Sequence, residues 1–358
     1  ACDHIVRNSW SEDYHKRLSI KDPNDINPDQ ISILNHHLCH AASAVYTSGF
    51  KESAVLIVDG RGSERETQTL FHYYASEFHL VQKTSKIGIG LLYAAITQAI
   101  GFKLLQEGKT MGLAPYGKSH LSKHGPVLDF NGNFGGIVTD YSSLCIENSY
   151  SLRGIDPSIW SEIEQKIVAY QVQQECEKAM LHLAAFAKSQ IDSNNLCISG
   201  GVALNSVANK KVLDSQLFKN VHINPNCSDT GISLGAALYA YHNILKKPYI
   251  EKSTTSAYLG KTYNKEEFIV PLEKFRTRSD LSIYQHSSFS ECASAAASLL
   301  NENKILGVCY GRSEVGPRAL GNRSILMSAR NKENKDTLNL RVKHREPFRP
   351  FAPICMEE

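Results

Sequence analysis

The chain has 358 residues and a mass of 39.8 kDa, long enough to bury a sizeable core and to divide into lobes. Hydrophobic residues make up 42% and charged residues 21%, and 39 basic against 36 acidic residues leave a formal net charge of +3. That balance, with no Lys/Arg block, argues against a nucleic-acid or membrane partner, and no apolar run reaches the roughly 20 residues a bilayer span needs.

No basic-then-apolar leader opens the chain. Nine cysteines, at positions 2, 39, 145, 176, 197, 227, 292, 309 and 355, show no CxxC spacing, and several sit in apolar runs. They read as reduced thiols of a cytosolic protein, mostly core filler. Ala1 is not an initiator methionine and the chain stops at CMEE just after an apolar stretch, so both ends read as those of a piece of something longer.

Residues 1–30 are polar and turn-rich and read as loop. Ile31–Leu34 runs into HHLCHAASAVYTSGF, whose Ala-rich spacing predicts a helix from about Asn35. Ser53–Asp59 (SAVLIVD) is a short buried strand ending in Asp-Gly, and TQTLFHYYASEFHLVQKT alternates like two strands joined by a turn. Gly88–Phe102 returns to a helical pattern, EGKTMGLAPYG reads as a Gly/Pro-punctuated loop, and 118–158 as an insertion of loops and short strands. Residues 160–190 carry sustained helical periodicity and read as one or two core helices. Leu196–Ser199 is a buried strand whose Gly-Gly leads straight into a helix. Val221–Ile223 is another strand, followed by a loop and a small-residue helix in PNCSDTGISLGAALYAYHNIL. The polar stretch 246–288 looks like a boundary, beyond which come a helix (290–303), a strand (Ile305–Tyr310) and the loop GRSEVGPRALGNRSILMSARN. Recurring strand–Gly–helix units argue for an α/β protein with layered helices.

His36 and His40 stand four residues apart, which on a helix places both imidazoles on one face within reach of one metal ion. Position 37 is a second histidine rather than the glutamate a HExxH protease needs, so protease chemistry is disfavoured. Two histidines that merely cap or pack are the blander alternative. Against it stands Asp59 at the end of the next strand, a carboxylate placed to complete a two-His, one-carboxylate site. Asp-Gly in VDGRG and Gly200-Gly201 also allow close backbone approach to phosphate, and each can equally be a packing point.

The strings HHLCHAASA, VDGRG, EGKTMGLAPYG, SGGVALN, CSDTGISLGAAL, EVGPRALGNRSIL and REPFRPFAP resemble those of the nodulation-protein-U and cephalosporin-carbamoyltransferase family, over roughly residues 31 to 353. The resemblance implies an α/β chain with an actin/sugar-kinase-like (ribonuclease-H-like) metal and nucleotide lobe over 1–275. The start of a YrdC-like α/β domain follows over 285–358. It implies His36, His40, Asp59 and Asp229 as ligands of Fe(II) or another divalent transition metal, and Gly200, Gly201 and Asn205 as the nucleotide loop. Arg318, Lys343 and Arg349 then hold carbamoyl phosphate, with Asp59, Arg318 and Lys343 counted as catalytic. Arginine forks and a lysine charge suit that small dianion, while Arg318, Arg323 and Arg349 can equally be solvated or ion-paired loop residues.

The implied activity is ATP-dependent transfer of a carbamoyl group, through carbamoyl-adenylate, to a hydroxyl of a small molecule or glycan. Its partners would be ATP, carbamoyl phosphate and the acceptor, with a homodimer left open. The family's usual N-terminal segment and the bulk of its YrdC-like domain are missing from the match. A tRNA threonylcarbamoyl transferase would share the metal lobe but lack GPRALGNRS, and a non-catalytic nucleotide binder of the actin-like fold would be free to lose the four ligands.

Overall fold

In the computed structural model, the described residues are 5–8, 31–146, 149–249 and 256–356. The loop expected over 1–30 falls mostly outside them. The chain divides into two compact units, Ala1–Thr255 and Ser256–Glu358.

The first unit holds a parallel strand pair, β1 (Ile5–Asn8) and β2 (Ile31–Leu34), that leads into helix α1 (His36–Ser48). Asn35 starts α1 by accepting the Leu38 amide proton on its side chain at 3.0 Å, and Gly49 ends it with φ +80°. Next come β3 (Ser53–Val58), β4 (Gln68–Tyr74) and β5 (Glu77–Thr84), an antiparallel meander. Helices α2 (Ile89–Ala99), α3 (Glu107–Leu113) and α4 (Lys118–His124) follow. Two short hairpins come after them, β6 (Asn133–Gly135) with β7 (Val138–Asp140) and β8 (Cys145–Ile146) with β9 (Ser151–Leu152).

One uninterrupted helix, α5 (Glu162–Gln190), opens on a reciprocal Ser161–Glu164 capping box. Strand β10 (Asn195–Ser199), helix α6 (Ser206–Asp214), strand β11 (Asn220–Ile223) and helix α7 (Ile232–Tyr239) complete the unit. The strands join in one sheet of order β11-β10-β3-β4-β5, with β10 and β11 parallel to β3 and β4 running against its neighbours. This is a mixed α/β fold with a parallel-rich central sheet.

Every residue of β3 is buried, as expected of a strand covered on both faces. Val55 and Ile57 pack with Ala41, Ala44 and Val45 of α1, so by strand alternation Ala54, Leu56 and Val58 face the opposite side. Helix α7 lies against α1 with almost no gap. A Cβ at Gly235 would stand 1.8 Å from the Cys39 carbonyl oxygen, so only glycine lets the two helices approach this closely there.

EGKTMGLAPYG, expected as loop, instead forms α3 and a following 3-10 turn. Gly117 ends that turn where a Cβ would stand 1.9 Å from the Lys166 carbonyl of α5. Close packing on α5 overrides the weak helix propensity of glycine. Helix α4 likewise occupies the start of the expected loop insertion.

The second unit begins inside the polar 246–288 stretch. It contains α8 (Lys265–Glu273), which composition did not indicate, α9 (Phe289–Asn301), an antiparallel pair β12 (Leu306–Cys309) and β13 (Arg323–Leu326), and α10 (Glu333–Thr337). No described helix is long and apolar enough to cross a membrane.

Candidate metal centre

The chemistry-bearing side chains sit where three strands end. His36 and His40 occupy the first turns of α1, Asp59 follows β3 directly, and Asp229 opens the turn before α7. One ligand atom from each of the four lies within 4.8 Å of the others. His36 Nε2 is 3.0 Å from Asp59 Oδ2 and 3.2 Å from His40 Nε2, and His40 Nε2 is 3.2 Å from Asp59 Oδ2. Asp229 Oδ1 stands 3.5 Å from both imidazole nitrogens. The two histidines and Asp59 are buried, whereas the Asp229 side chain is 71% exposed.

Each inner ligand is aimed by a neighbour. Asp59 Oδ1 accepts the Gly60 and Gly201 amide protons at 2.8 and 3.0 Å, leaving Oδ2 for the cluster. Gly201 can donate only because Gly200 turns with φ +95° against Val58, where a Cβ would meet the Val58 carbonyl at 2.3 Å. Ser199 Oγ donates to the Cys227 carbonyl at 3.0 Å and lies 3.4 Å from His40 Nδ1. An Nδ1–H directed at that oxygen leaves the Nε2 lone pair facing the cluster. Sequence patterns carried no signal for Ser199, and they marked Gly201 for close backbone approach to phosphate rather than for holding Asp59.

The electrostatics follow from this crowding. Burial disfavours a charged His36, yet the hydrogen bonds it donates to the Asp229 and Asp59 carboxylates outweigh it and lift the imidazole to about 9. His40 is raised by the same balance. Burial also opposes an ionised Asp59, but His36 and His40 hold its carboxyl well below the usual range. Asp229 is lowered to about 2, first by its hydrogen bond to His36 and then by that to His40. Two imidazole lone pairs and two carboxylates therefore converge on a point that must hold protons or a cation. The donor set suits Fe(II), Mn(II) or Zn(II).

The other residues singled out in the sequence are placed as follows. Asn205 caps α6 by accepting from the Ala208 amide at 3.0 Å, and its amide pairs with Gln173 at 2.9 and 3.2 Å, so its side chain is turned inward. In the second unit, Glu314 Oε1 accepts the amide protons of Leu320, Asn322 and Arg323, which folds the intervening loop around one carboxylate. Burial opposes that charge, but the backbone donors hold Glu314 down at about 2. Arg318 lies exposed within this loop. Arg323 is half-buried, and its guanidinium donates to the carbonyls of Tyr310, Gly311 and Asn322. Lys343 is exposed at the end of a helical turn, and Arg349 lies 3.7 Å from Glu346.

A parallel-rich α/β unit bearing a preformed two-His, two-Asp centre defines the class of protein. The family described as carbamoyltransferase N-terminus matches residues 8–238, and that described as carbamoyltransferase C-terminus matches 297–358. The chain belongs to the carbamoyltransferase family.

It is 32% identical over 338 residues to nodulation protein NolO of Bradyrhizobium diazoefficiens, covering 91% of this chain and 59% of that one. It is 31% identical over 342 residues to nodulation protein NolNO of Sinorhizobium fredii, with coverage of 93% and 48%. The chain thus spans about half the length of these relatives. A solved structure of full-length HypF in the phosphate- and nucleotide-bound form aligns with a TM-score of 0.40 and 14% identity, over 69% of this chain and 48% of that one. That likeness is too slight to decide anything.

Proposed function

We propose that this chain carries the transfer site of an ATP-dependent O-carbamoyltransferase. The single observation behind the reading is the convergence of His36, His40, Asp59 and Asp229 within 4.8 Å in a chain of this family. The sheet order, a three-stranded meander flanked by two parallel strands, fits an actin-like (ribonuclease-H-like) lobe. The second unit is then the beginning of a YrdC-like domain.

In the proposed reaction, water attacks carbamoyl phosphate and its carbamoyl–phosphate bond breaks, yielding carbamate and phosphate. Carbamate attacks ATP, releasing pyrophosphate and forming carbamoyl-adenylate. An acceptor hydroxyl then displaces AMP to give an O-carbamate. The four ligands would hold Fe(II) or a similar divalent ion, which when bound supplies Lewis-acid polarisation at the transfer site. The chain's own residues supply the geometry. Asp59 is held by two backbone amides, His40 is oriented through Ser199, and the Gly200 turn brings bare backbone beside the cluster for a nucleotide. Asn205 serves that nucleotide loop by capping and bracing it. Arg318, presented on the loop that Glu314 organises, together with Lys343 and Arg349, supplies positive charge for carbamoyl phosphate.

The test is mass spectrometry of a panel of hydroxyl-bearing small molecules and glycans incubated with the complete gene product, Fe(II), ATP and carbamoyl phosphate. A carbamoyl mass increment with release of AMP and pyrophosphate is the expected result. Metal analysis that finds no transition metal, even after anaerobic Fe(II) addition, would falsify the metal centre.

A further inference from the structure

The connection between β3 and β4, residues Gly60–Glu66, is closed at its base by the Asp59 amide donating to the Thr67 carbonyl at 2.9 Å. Above that base it clasps the start of α1. Glu66 is buried, and its Oε1 accepts from Asn35 Nδ2 at 2.8 Å while Oε2 accepts from the Glu64 amide at 2.7 Å. Ser63 Oγ accepts the His36 amide proton at 3.1 Å. Asn35 is the residue that caps α1, and its Oδ1 takes the Leu38 amide proton at 3.0 Å. A Cβ at Gly62 would lie 2.4 Å from Glu66 Oε1 and 2.9 Å from His37 Cδ2, so a larger residue there would displace the Glu66 carboxylate.

These bonds join two segments far apart in sequence, the helix turn that carries His36 and the loop that begins at Asp59. Sheet packing alone sets the distance between α1 and β3, but leaves the first turn of α1 free to fray or rotate, since its amides have no partners inside the helix. The clasp satisfies two of those amides and ties the cap to a buried carboxylate. We propose that Glu66, acting through Asn35, is a positioning residue that keeps His36 in register with Asp59 for cation binding. This rests on the metal reading above. Glu66 touches neither the cation nor substrate.

The test is Co(II) titration of the whole chain, followed by visible absorption, beside thermal melting of the metal-free protein. In Glu66→Gln no orientation of the amide keeps both bonds, because one of its ends must present a donor to a donor, Asn35 Nδ2 or the Glu64 amide. Asn35→Ser keeps a side chain that caps the helix well but removes the amide donor to Glu66. Both variants are expected to bind Co(II) about 10- to 100-fold more weakly, the usual effect of losing a group that orients a ligand. Both should show an altered Co(II) ligand-field band, and Asn35→Ser should melt close to wild type.

Wild-type affinity and band in the variants overturn the positioning role while leaving the metal centre intact. A lowered melting temperature with an unchanged band also overturns it, because that is the signature of a purely structural contact. If Glu66→Gln does not fold, Asn35→Ser decides. A wild-type chain that binds no Co(II) overturns both readings.

Discussion

Replacing Gly200 with alanine should damage both the fold and the metal centre, and the structure sets the size of the effect. The residue has φ +95° and ψ 164°, a region essentially reserved for glycine, where a side chain costs about 1–3 kcal/mol. The added Cβ would also stand 2.3 Å from the Val58 carbonyl oxygen, against backbone of a fully buried strand that cannot easily retreat. Overpacking of that kind adds about 1–3 kcal/mol. A total near 4 kcal/mol corresponds to a fall in melting temperature of roughly 8–16 °C for a unit of this size. The Gly201 amide would move with its neighbour, loosening the 3.0 Å bond that aims Asp59. Metal affinity should then drop about 10- to 100-fold. Gly60→Ala is the matched control, because a Cβ there meets nothing within 4 Å. Calorimetric melting of the metal-free protein and Mn(II) titration read the two effects. A Gly200→Ala protein that melts within about 2 °C of wild type and binds Mn(II) equally well refutes the argument.

Three further outcomes are expected. Asp59→Asn keeps the shape but loses the charged ligand, and its amide must face two imidazole nitrogens; Mn(II) binding should fall at least about 100-fold, and near-native affinity would rule Asp59 out as a ligand. His36 in the metal-free fold sits at about 9, above the ordinary 6.5. Its proton therefore stabilises the metal-free protein fully below pH 6.5, and that contribution is lost as pH rises through about 9. The same proton competes with a cation, so Mn(II) affinity should climb by up to about tenfold per pH unit for each proton displaced between pH 7 and 9, and a flat profile contradicts this. Gly235→Ala forces a methyl to within 1.8 Å of the Cys39 carbonyl between α1 and α7. It should lower the melting temperature by several degrees, at about 1–3 kcal/mol, and an unchanged melt would show that α7 can slide.

Side-chain periodicity makes part of this molecule legible in its sequence. The i, i+4 histidines fall on one face of α1, Asp59 ends a strand of six buried residues, and α5 runs unbroken where the helical pattern runs unbroken. Asp229 is different, because nothing local marks it. It reaches the cluster through the parallel pairing of β10 with β3 and β11, and only the family resemblance points to it. Contacts made by backbone leave no trace in the sequence, since any residue at 201 has an amide and only the φ of Gly200 aims this one. EGKTMGLAPYG reads as loop because propensity cannot register that Gly117 is needed where the turn after α3 lies flush against the Lys166 carbonyl of α5. Arg323 illustrates the reverse error. Its charge suggests an anion or an acid, whereas the Asn322 carbonyl beside it and the Tyr310 and Gly311 carbonyls just past β12 take up its donors.

The unequal exposure of the four ligands has a kinetic consequence. His36, His40 and Asp59 are buried, while Asp229 stands on a short turn with its side chain 71% exposed. A cation held there as proposed would enter and leave past the Asp229 carboxylate rather than through the core. Chelators should therefore strip the ion in seconds to minutes from a protein that stays folded, and reloading should need no chaperone.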